Sequence, residues 1–513
     1  MDKSRRKGSV ILAAIALCVA GQLGAAPRID FNGDGYADLA VGVPHEDEGR
    51  ATDAGAVNVI YGSADGLSAH GNVFFTHNTR GVAGIAQKGA QFGKALAAGD
   101  FNGDGFTDLA VGAPYFDQPR QRDAGDLVIF YGGRRGLSGS RCSFLYWFNS
   151  LRTGSLFGAA LAAGDFDSDG FEDIAVGAPD AIRWPENAVG SGRGVVVAWY
   201  GSRRGMTRIE LWQQGVNGLR ETSEYRDQFG SALATGDFNG DGTADLAVGA
   251  PGEEGVDWVA FGAVSVIFGR SGTGLVGDGN QVWTQITDGA GNTASAGDRY
   301  GSVLGSGDFD GDGCDELVVG APGDGSVHVI YGRTDGLISE STQEFYAPMP
   351  DIAGADFDNN GADDLVLRFQ HWYLSGVQVY SGSSDGLQDT PKEIVEYLLP
   401  GLNLSDDWQF PTARPGCALA TDDFEGRGVF DLAVGVPFYD IPYKHNLLQV
   451  TDAGAVAVVR NIAIVEHPDP MSETPIIQWT ALLDFFEGNY PRTIHEILGA
   501  AEPGDNFGEV FAH

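Results

Sequence analysis

Apolar residues in this chain cluster in short runs of four to eight positions, such as "AVNVIY", "LAVGA" and "AVSVIF". The runs are rich in Val, Ile, Ala and aromatic residues and are bounded by Gly, Asp and Pro, which predicts strands. Only "IIQWTALLDFF" (Ile476 to Phe486) competes with a helical period. The runs are nearly continuous rather than alternating, so both faces of these strands are expected to be covered.

The runs recur in a fixed order. "DFNGDGYADLAVGVP" starts at Asp30 and returns from Asp100, Asp165, Asp237 and Asp308, with degenerate copies from Asp356 and Asp423. These seven starts lie 65 to 72 residues apart, apart from one spacing of 48. Before most of them stands a Phe-Gly or Tyr-Gly strand, as in "FGKALAAGD" from Phe92. After the "GAP" come a loop, a third strand such as "GAVNVIYG", a "DGL" turn and a fourth strand holding an aromatic residue, as around Trp283. Each unit therefore predicts a four-stranded antiparallel sheet, and a radial array of repeated sheets is a β-propeller. The expected fold is all-β, a seven-bladed propeller spanning residues 27–513. Ala and Gly in "LAAGD" and "LAVGA" suit strands that converge on an axis.

The linked Phe-Gly, Asp-x-Asn-x-Asp-Gly and Gly-Ala-Pro signatures resemble FG-GAP repeats, as in the head of integrin α chains. The resemblance covers residues 28 to 513. It implies the propeller fold, calcium in the loops and a role in adhesion or recognition, and it names no ligand. The integrin stalk, transmembrane helix and inserted metal-dependent adhesion domain have no counterpart here.

The first repeat lacks its Phe-Gly strand, whereas "DNFGEVFAH" (Asp505 to His513) matches "DQFGSALAT" (Asp227 to Thr235) and stops. The N- and C-terminal segments are thus expected to share one blade and close the ring, removing sheet edges.

In "DFNGDGYAD" side-chain oxygens stand at positions 1, 3, 5 and 9, with a backbone carbonyl at 7. Alternate spacing in a tight Gly-containing loop turns these donors inward, and a hard cation with many oxygen ligands fits them, calcium better than magnesium. The candidate ligands of the first repeat are Asp30, Asn32, Asp34, Tyr36 (carbonyl) and Asp38. The second has Asp100, Asn102, Asp104, Phe106 and Asp108; the third Asp165, Asp167, Asp169, Phe171 and Asp173. The fourth has Asp237, Asn239, Asp241, Thr243 and Asp245; the fifth Asp308, Asp310, Asp312, Cys314 and the longer Glu316. The sixth has Asp356, Asp358, Asn360, Ala362 and Asp364. In the seventh, Arg427 takes position 5 and Glu425 position 3, so a guanidinium beside Asp423, Glu425 and Asp431 is expected in place of an ion. Six structural calcium ions are predicted. An Asx turn without metal is the bland alternative for one copy, and repetition argues against it. Five protein oxygens per loop leave little room for catalysis, which needs an open position.

Gly reaches 77 residues and net charge −38. The first suits a turn-rich β protein. The second repels nucleic acid and anionic lipid and attracts divalent cations. Residues 1–26 read as a secretion signal, with a basic start, an apolar run too short to span a bilayer and small residues for cleavage. A secreted or exported monomer is expected. Cys142, Cys314 and Cys417 are too scattered for a disulfide framework or a zinc site.

No His pairs with an acid at catalytic spacing, and no nucleophile-elbow, metalloprotease, P-loop or dinucleotide motif stands in context. His371, His445 and His495 read as surface or loop residues. Arg134, Arg135, Arg203 and Arg204 read as solvated turns, and Asn403 opens a glycosylation sequon. Strand polarity puts the "GAP" loops on the face opposite the carboxylate loops. There Trp184, Trp258, Trp372 and Tyr443 are candidate anchors for a partner; packing of the loops against the rim is the alternative. The expected function is a non-enzymatic, calcium-binding recognition module for an extracellular protein or glycan. The alternatives are a polysaccharide-active enzyme on the same scaffold and a purely structural surface protein.

Overall fold

The computed structural model describes residues 28–145, 153–181, 192–254, 260–291, 294–348, 351–371, 374–389, 391–395 and 418–436, and beyond these only strand residues between 455 and 511. All regular structure in them is β. Ile476–Trp479 and Asp484–Gly488 are strands, so the helical period of that segment is not realised. No helix among the described residues is long and apolar enough to cross a membrane.

The second repeat shows the plan. Ala95–Gly99, Asp108–Ala113, Asp126–Phe130 and Cys142–Leu145 form a four-stranded antiparallel meander. Gly99 pairs with Asp108 across the carboxylate loop, and Ala113 pairs with Asp126 across the opposite loop. The third, fourth, fifth and sixth repeats form like meanders. The first strand of each sheet neighbours that of the next, from Ala95–Gly99 through Leu161–Gly164, Leu233–Gly236, Val303–Gly307 and Ile352–Ala355 to Leu419–Asp422. Sheets stacked radially in this way make a β-propeller.

Seven blades are expected from the sequence; among the described residues the four-stranded sheets number six. The seventh repeat instead joins Leu419–Asp422, Asp431–Val436 and Ala455–Val459 to Asp484–Gly488 and, in parallel, to Glu496–Ile497. Ile462–Val465 and Ile476–Trp479 pair apart from it. In this repeat the chain following the third strand is long and makes a hairpin of its own, so the simple meander is lost. The sixth repeat departs differently. Asp364–His371 and Leu374–Tyr380 pair as far as His371 with Leu374, a tighter hairpin than the connection between Ala321 and Ser326 in the fifth repeat or the longer loop between Ala113 and Asp126 in the second.

The first repeat contributes Leu39–Val43, Ala56–Tyr61 and Ser68–Phe75, and its fourth strand is Val510–Phe511, with Val41 opposite Phe511 and Gly42 opposite Val510.

The core lies between sheets. Its largest fully buried side chains include Phe92, Phe157, Phe229 and Tyr300 of the Phe-Gly strands, and the second residue of every carboxylate loop: Phe31, Phe101, Phe166, Phe238, Phe309, Phe357 and Phe424. The Phe-Gly and Gly-Ala-Pro glycines meet across sheets. A Cβ on Gly112 would lie 2.2 Å from the carbonyl oxygen of Gly158 in the next repeat. Neighbouring loops are also stitched together: the amides of Thr107, Asp315 and Asp363 donate to the carbonyls of Asp30, Asp237 and Asp308 of the preceding repeats at 3.1, 2.9 and 2.8 Å.

Candidate metal centre

Each carboxylate loop begins where the first strand of a sheet ends and closes where the second begins. Its first Asp turns back on the loop's own amides. Asp30 Oδ1 accepts from Gly33 N at 2.6 Å and Oδ2 from Gly35 N at 2.8 Å. Asp100, Asp165, Asp237, Asp308 and Asp356 accept in the same way from the amides four and five residues on. The residue at position 5 then caps the amide at position 7, as Asp34 does for Tyr36, Asp104 for Phe106 and Asp169 for Phe171. Asp241, Asp312 and Asn360 do so for Thr243, Cys314 and Ala362.

Position 9 has a role beyond the one assigned from spacing. Asp173 Oδ2 accepts from Phe166 N at 3.0 Å, and its Oδ1 from Gly201 N, at the end of the third strand, at 2.8 Å. Asp38, Asp108, Asp245, Glu316 and Asp364 make the same two bonds. This carboxylate ties the loop to the far hairpin in all six repeats. It is buried, and burial, reinforced by neighbouring loop carboxylates, pushes its pKa up against the pull of the two amides. The values rise to about 8 for Asp38, about 7 for Asp108, about 9 for Asp173 and about 7 for Asp364, and Asp245 and Glu316 rise well above the ordinary range.

Oxygens of Asp165, Asp167 and Asp173 lie within 4.8 Å of one another, as do those of Asp308, Asp310 and Glu316, and of Asp356, Asp358 and Asp364. Asp167 Oδ1 is buried without a hydrogen-bond partner. An all-oxygen set with an orphaned oxygen and carboxylates that resist ionising without a counter-charge fits a hard divalent cation. In the first, second and fourth loops position 3 is Asn32, Asn102 or Asn239. The amide nitrogens of Asn102 and Asn239 face Asp108 and Asp245, and a half-turn of each amide would present oxygen instead. Side chains at position 7 lie against the preceding repeat's loop: a Cβ on Gly33 would stand 2.4 Å from Phe106, and one on Gly103 2.4 Å from Phe171.

In the seventh loop two guanidinium groups are present rather than one. Arg427 Nη1 reaches Glu425 Oε2 at 2.9 Å, and Arg28, from the first repeat, reaches Asp423 Oδ2 at 2.7 Å. The contribution of Arg28 carries no signal in the sequence.

Three described histidines do meet acids, contrary to expectation: His45 Nδ1 lies 3.0 Å from Asp53 Oδ1 in its own repeat, and for the other two the acids come from neighbouring repeats. His77 Nε2 lies 3.4 Å from Asp126 Oδ2 and its ring stacks on Phe116. His328 Nδ1 lies 2.8 Å from Asp288 Oδ2 and its Nε2 2.9 Å from Ser326 Oγ. Ser326, His328 and Asp288 are buried between sheets, out of reach of a substrate. Cys142 and Cys314 are free thiols. Arg134, Arg135, Arg203 and Arg204 are exposed, as expected. The partner-surface candidates Trp184, Trp258, Trp372 and Tyr443 lie outside the described residues, as do Cys417, Asn403, His445, His495 and residues 1–26.

Comparison with known proteins agrees with this architecture. The FG-GAP repeat family matches residues 25–60, 92–130, 157–197, 229–267 and 300–330. Integrin alpha-PS5 of Drosophila melanogaster is 37% identical over 173 residues, 33% of this chain and 16% of that protein. Phosphatidylinositol-glycan-specific phospholipase D of Bos taurus is 25% identical over 406 residues, 63% of this chain and 47% of its own length. The chain thus spans less than half of the length of either relative. Among solved structures, rhamnogalacturonan lyase YesW aligns with 75% of this chain and 69% of its own, at 13% identity and a TM-score of 0.35.

Proposed function

Since the chain is an integrin-α-like FG-GAP repeat β-propeller, we propose that it is a secreted, calcium-stabilised recognition module for an extracellular protein or glycan. The observation that carries this reading is the set of six carboxylate loops, in each of which a buried position-9 carboxylate is built into the sheet and needs a counter-charge to stay ionised. Calcium would be held by the residues at positions 1, 3, 5, 7 and 9, and would neutralise the loop face. That commitment leaves the opposite face, with the varied loops after "GAP", for a partner.

In this reading the ring closes where the first repeat meets the seventh. Arg28 and Ile29 reach Asp423 and Asp422, and the strand Val510–Phe511 lies beside Leu39–Val43, Leu419–Asp422 and Ala95–Gly99.

The test is a screen of the full chain in calcium against arrayed glycans and matrix proteins, with analysis of the glycans recovered. Saturable binding with the ligand returned intact supports recognition. Cleaved products would favour an enzyme on the same scaffold.

A further inference from the structure

The loops are not electrostatically alike. Arg141 Nη2 lies 3.1 Å from Asp104 Oδ2 in the second repeat. Arg208 Nη1 lies 3.4 Å from Asp167 Oδ2 in the third. Arg333 Nη1 lies 3.1 Å from Asp310 Oδ2 and 2.9 Å from Asp312 Oδ2 in the fifth. Each carboxylate stands at position 3 or 5, where a cation would be held. Each arginine comes from the turn or fourth strand of the same sheet, on the face that the carboxylate loops share. Two are steadied from behind: Arg208 lies over the Tyr200 ring, 4.0 Å from its centroid, and Arg333 donates to the Gly332 carbonyl at 2.6 Å.

The loops of the first and fourth repeats differ. Among the described residues, Asp237 and Asp241 accept from backbone amides and no guanidinium reaches them, whereas in the first repeat Arg28 Nη1 donates to the Gly35 carbonyl of the loop at 2.8 Å while its Nη2 pairs with Asp423. Arg270, which holds the place of Arg333 in the fourth repeat, is exposed.

We propose that Arg141, Arg208 and Arg333 are resident counter-charges that split the cation sites into two affinity classes. The loop starting at Asp237, which no guanidinium reaches, fills first. Those starting at Asp100, Asp165 and Asp308 fill only at higher calcium, when the ion displaces or tolerates the guanidinium. The inference rests on the calcium reading above. A guanidinium stays charged at any working pH. A unit charge about 5 Å from a divalent ion, even screened as in water, weakens binding by about tenfold. The same arginine compensates the loop when no cation is present, so the calcium dependence of stability is graded.

The test is calorimetric titration of the metal-free full chain with calcium chloride, for the wild type, the variant R141Q/R208Q/R333Q and the control R134Q/R135Q/R203Q. The control removes the same three charges from exposed turns of the same face. The wild type should show two classes of sites differing by about tenfold. The first variant should merge the weak class into the strong one, and the control should change neither. The single variant R333Q, at a half-exposed side chain, should remove one site from the weak class if the triple variant does not fold. One class in the wild type, two unchanged classes in the variants, or an equal effect of the control would overturn the proposal. Calcium binding to none of the proteins would overturn the calcium reading beneath it as well.

Discussion

Arg28 and Asp423 stand 395 residues apart in sequence and 2.7 Å apart in space. Next to them the amide of Ile29 donates to Asp422 Oδ2 at 3.1 Å. The first and seventh repeats also share one hydrophobic cluster, in which Leu39, Val41 and Val43 pack with Ala418, Ala420 and Phe424. The junction is therefore apolar inside and ionic at the carboxylate-loop face.

If this junction closes the ring, cutting it should expose two sheet edges. Replacing Asp422 by Ala leaves buried amides without an acceptor and should cost about 1–3 kcal/mol. Removing Asp505 to His513 should cost more, because the partner of Leu39–Val43 goes with it. Thermal unfolding with light scattering checks both. A truncated protein that stays monomeric and melts like the wild type would contradict closure.

The position-9 carboxylate is expected to hold structure with or without a cation. Asp173→Ala orphans the amides of Phe166 and Gly201, and the loss should be about 2–4 kcal/mol even in excess chelator. If Asp173 were only a cation ligand, the variant and the wild type would melt together once calcium was removed.

Much of this was legible in the sequence. Strand positions, sheet size and the shared face of the carboxylate loops follow from local patterns such as "LAAGDFNGDG", since each sheet is built from consecutive residues. What joins one repeat to another was not. Arg28 on Asp423, Asp288 beside His328 and Phe106 over Gly33 pair residues of different repeats, and nothing in either segment names its partner. The dual role of Asp173 was hidden for a related reason, because Gly201 follows the third strand, beyond the motif. The parallel pairing of Glu496–Ile497 likewise has no local signature.

Glu253 offers a pH signature away from the carboxylate loops. It is buried beside Gln214, whose Nε2 donates to its Oε2 at 2.5 Å. Burial, with Asp227 nearby, raises its pKa to about 8. A raised native pKa means that the folded state holds the proton more tightly. The contribution is complete below the unfolded value of about 4.5 and is lost as pH rises through about 8. Melting curves in chelator should therefore fall between about pH 5 and about pH 9 more steeply for the wild type than for Glu253→Gln. Parallel pH profiles would show that Glu253 ionises in the folded state as it does in water.

The central claim, that the loops hold cations which stabilise the propeller, is met most directly by calorimetric melting of the full chain in calcium and in excess chelator. Extracellular sites of this kind bind with Kd on the order of 10⁻⁴–10⁻³ M. At ten times Kd each filled site adds about 1.4 kcal/mol. Several filled sites should then raise the Tm well beyond experimental error, with a weaker effect from magnesium at the same concentration. Superimposable curves with and without calcium would contradict the account.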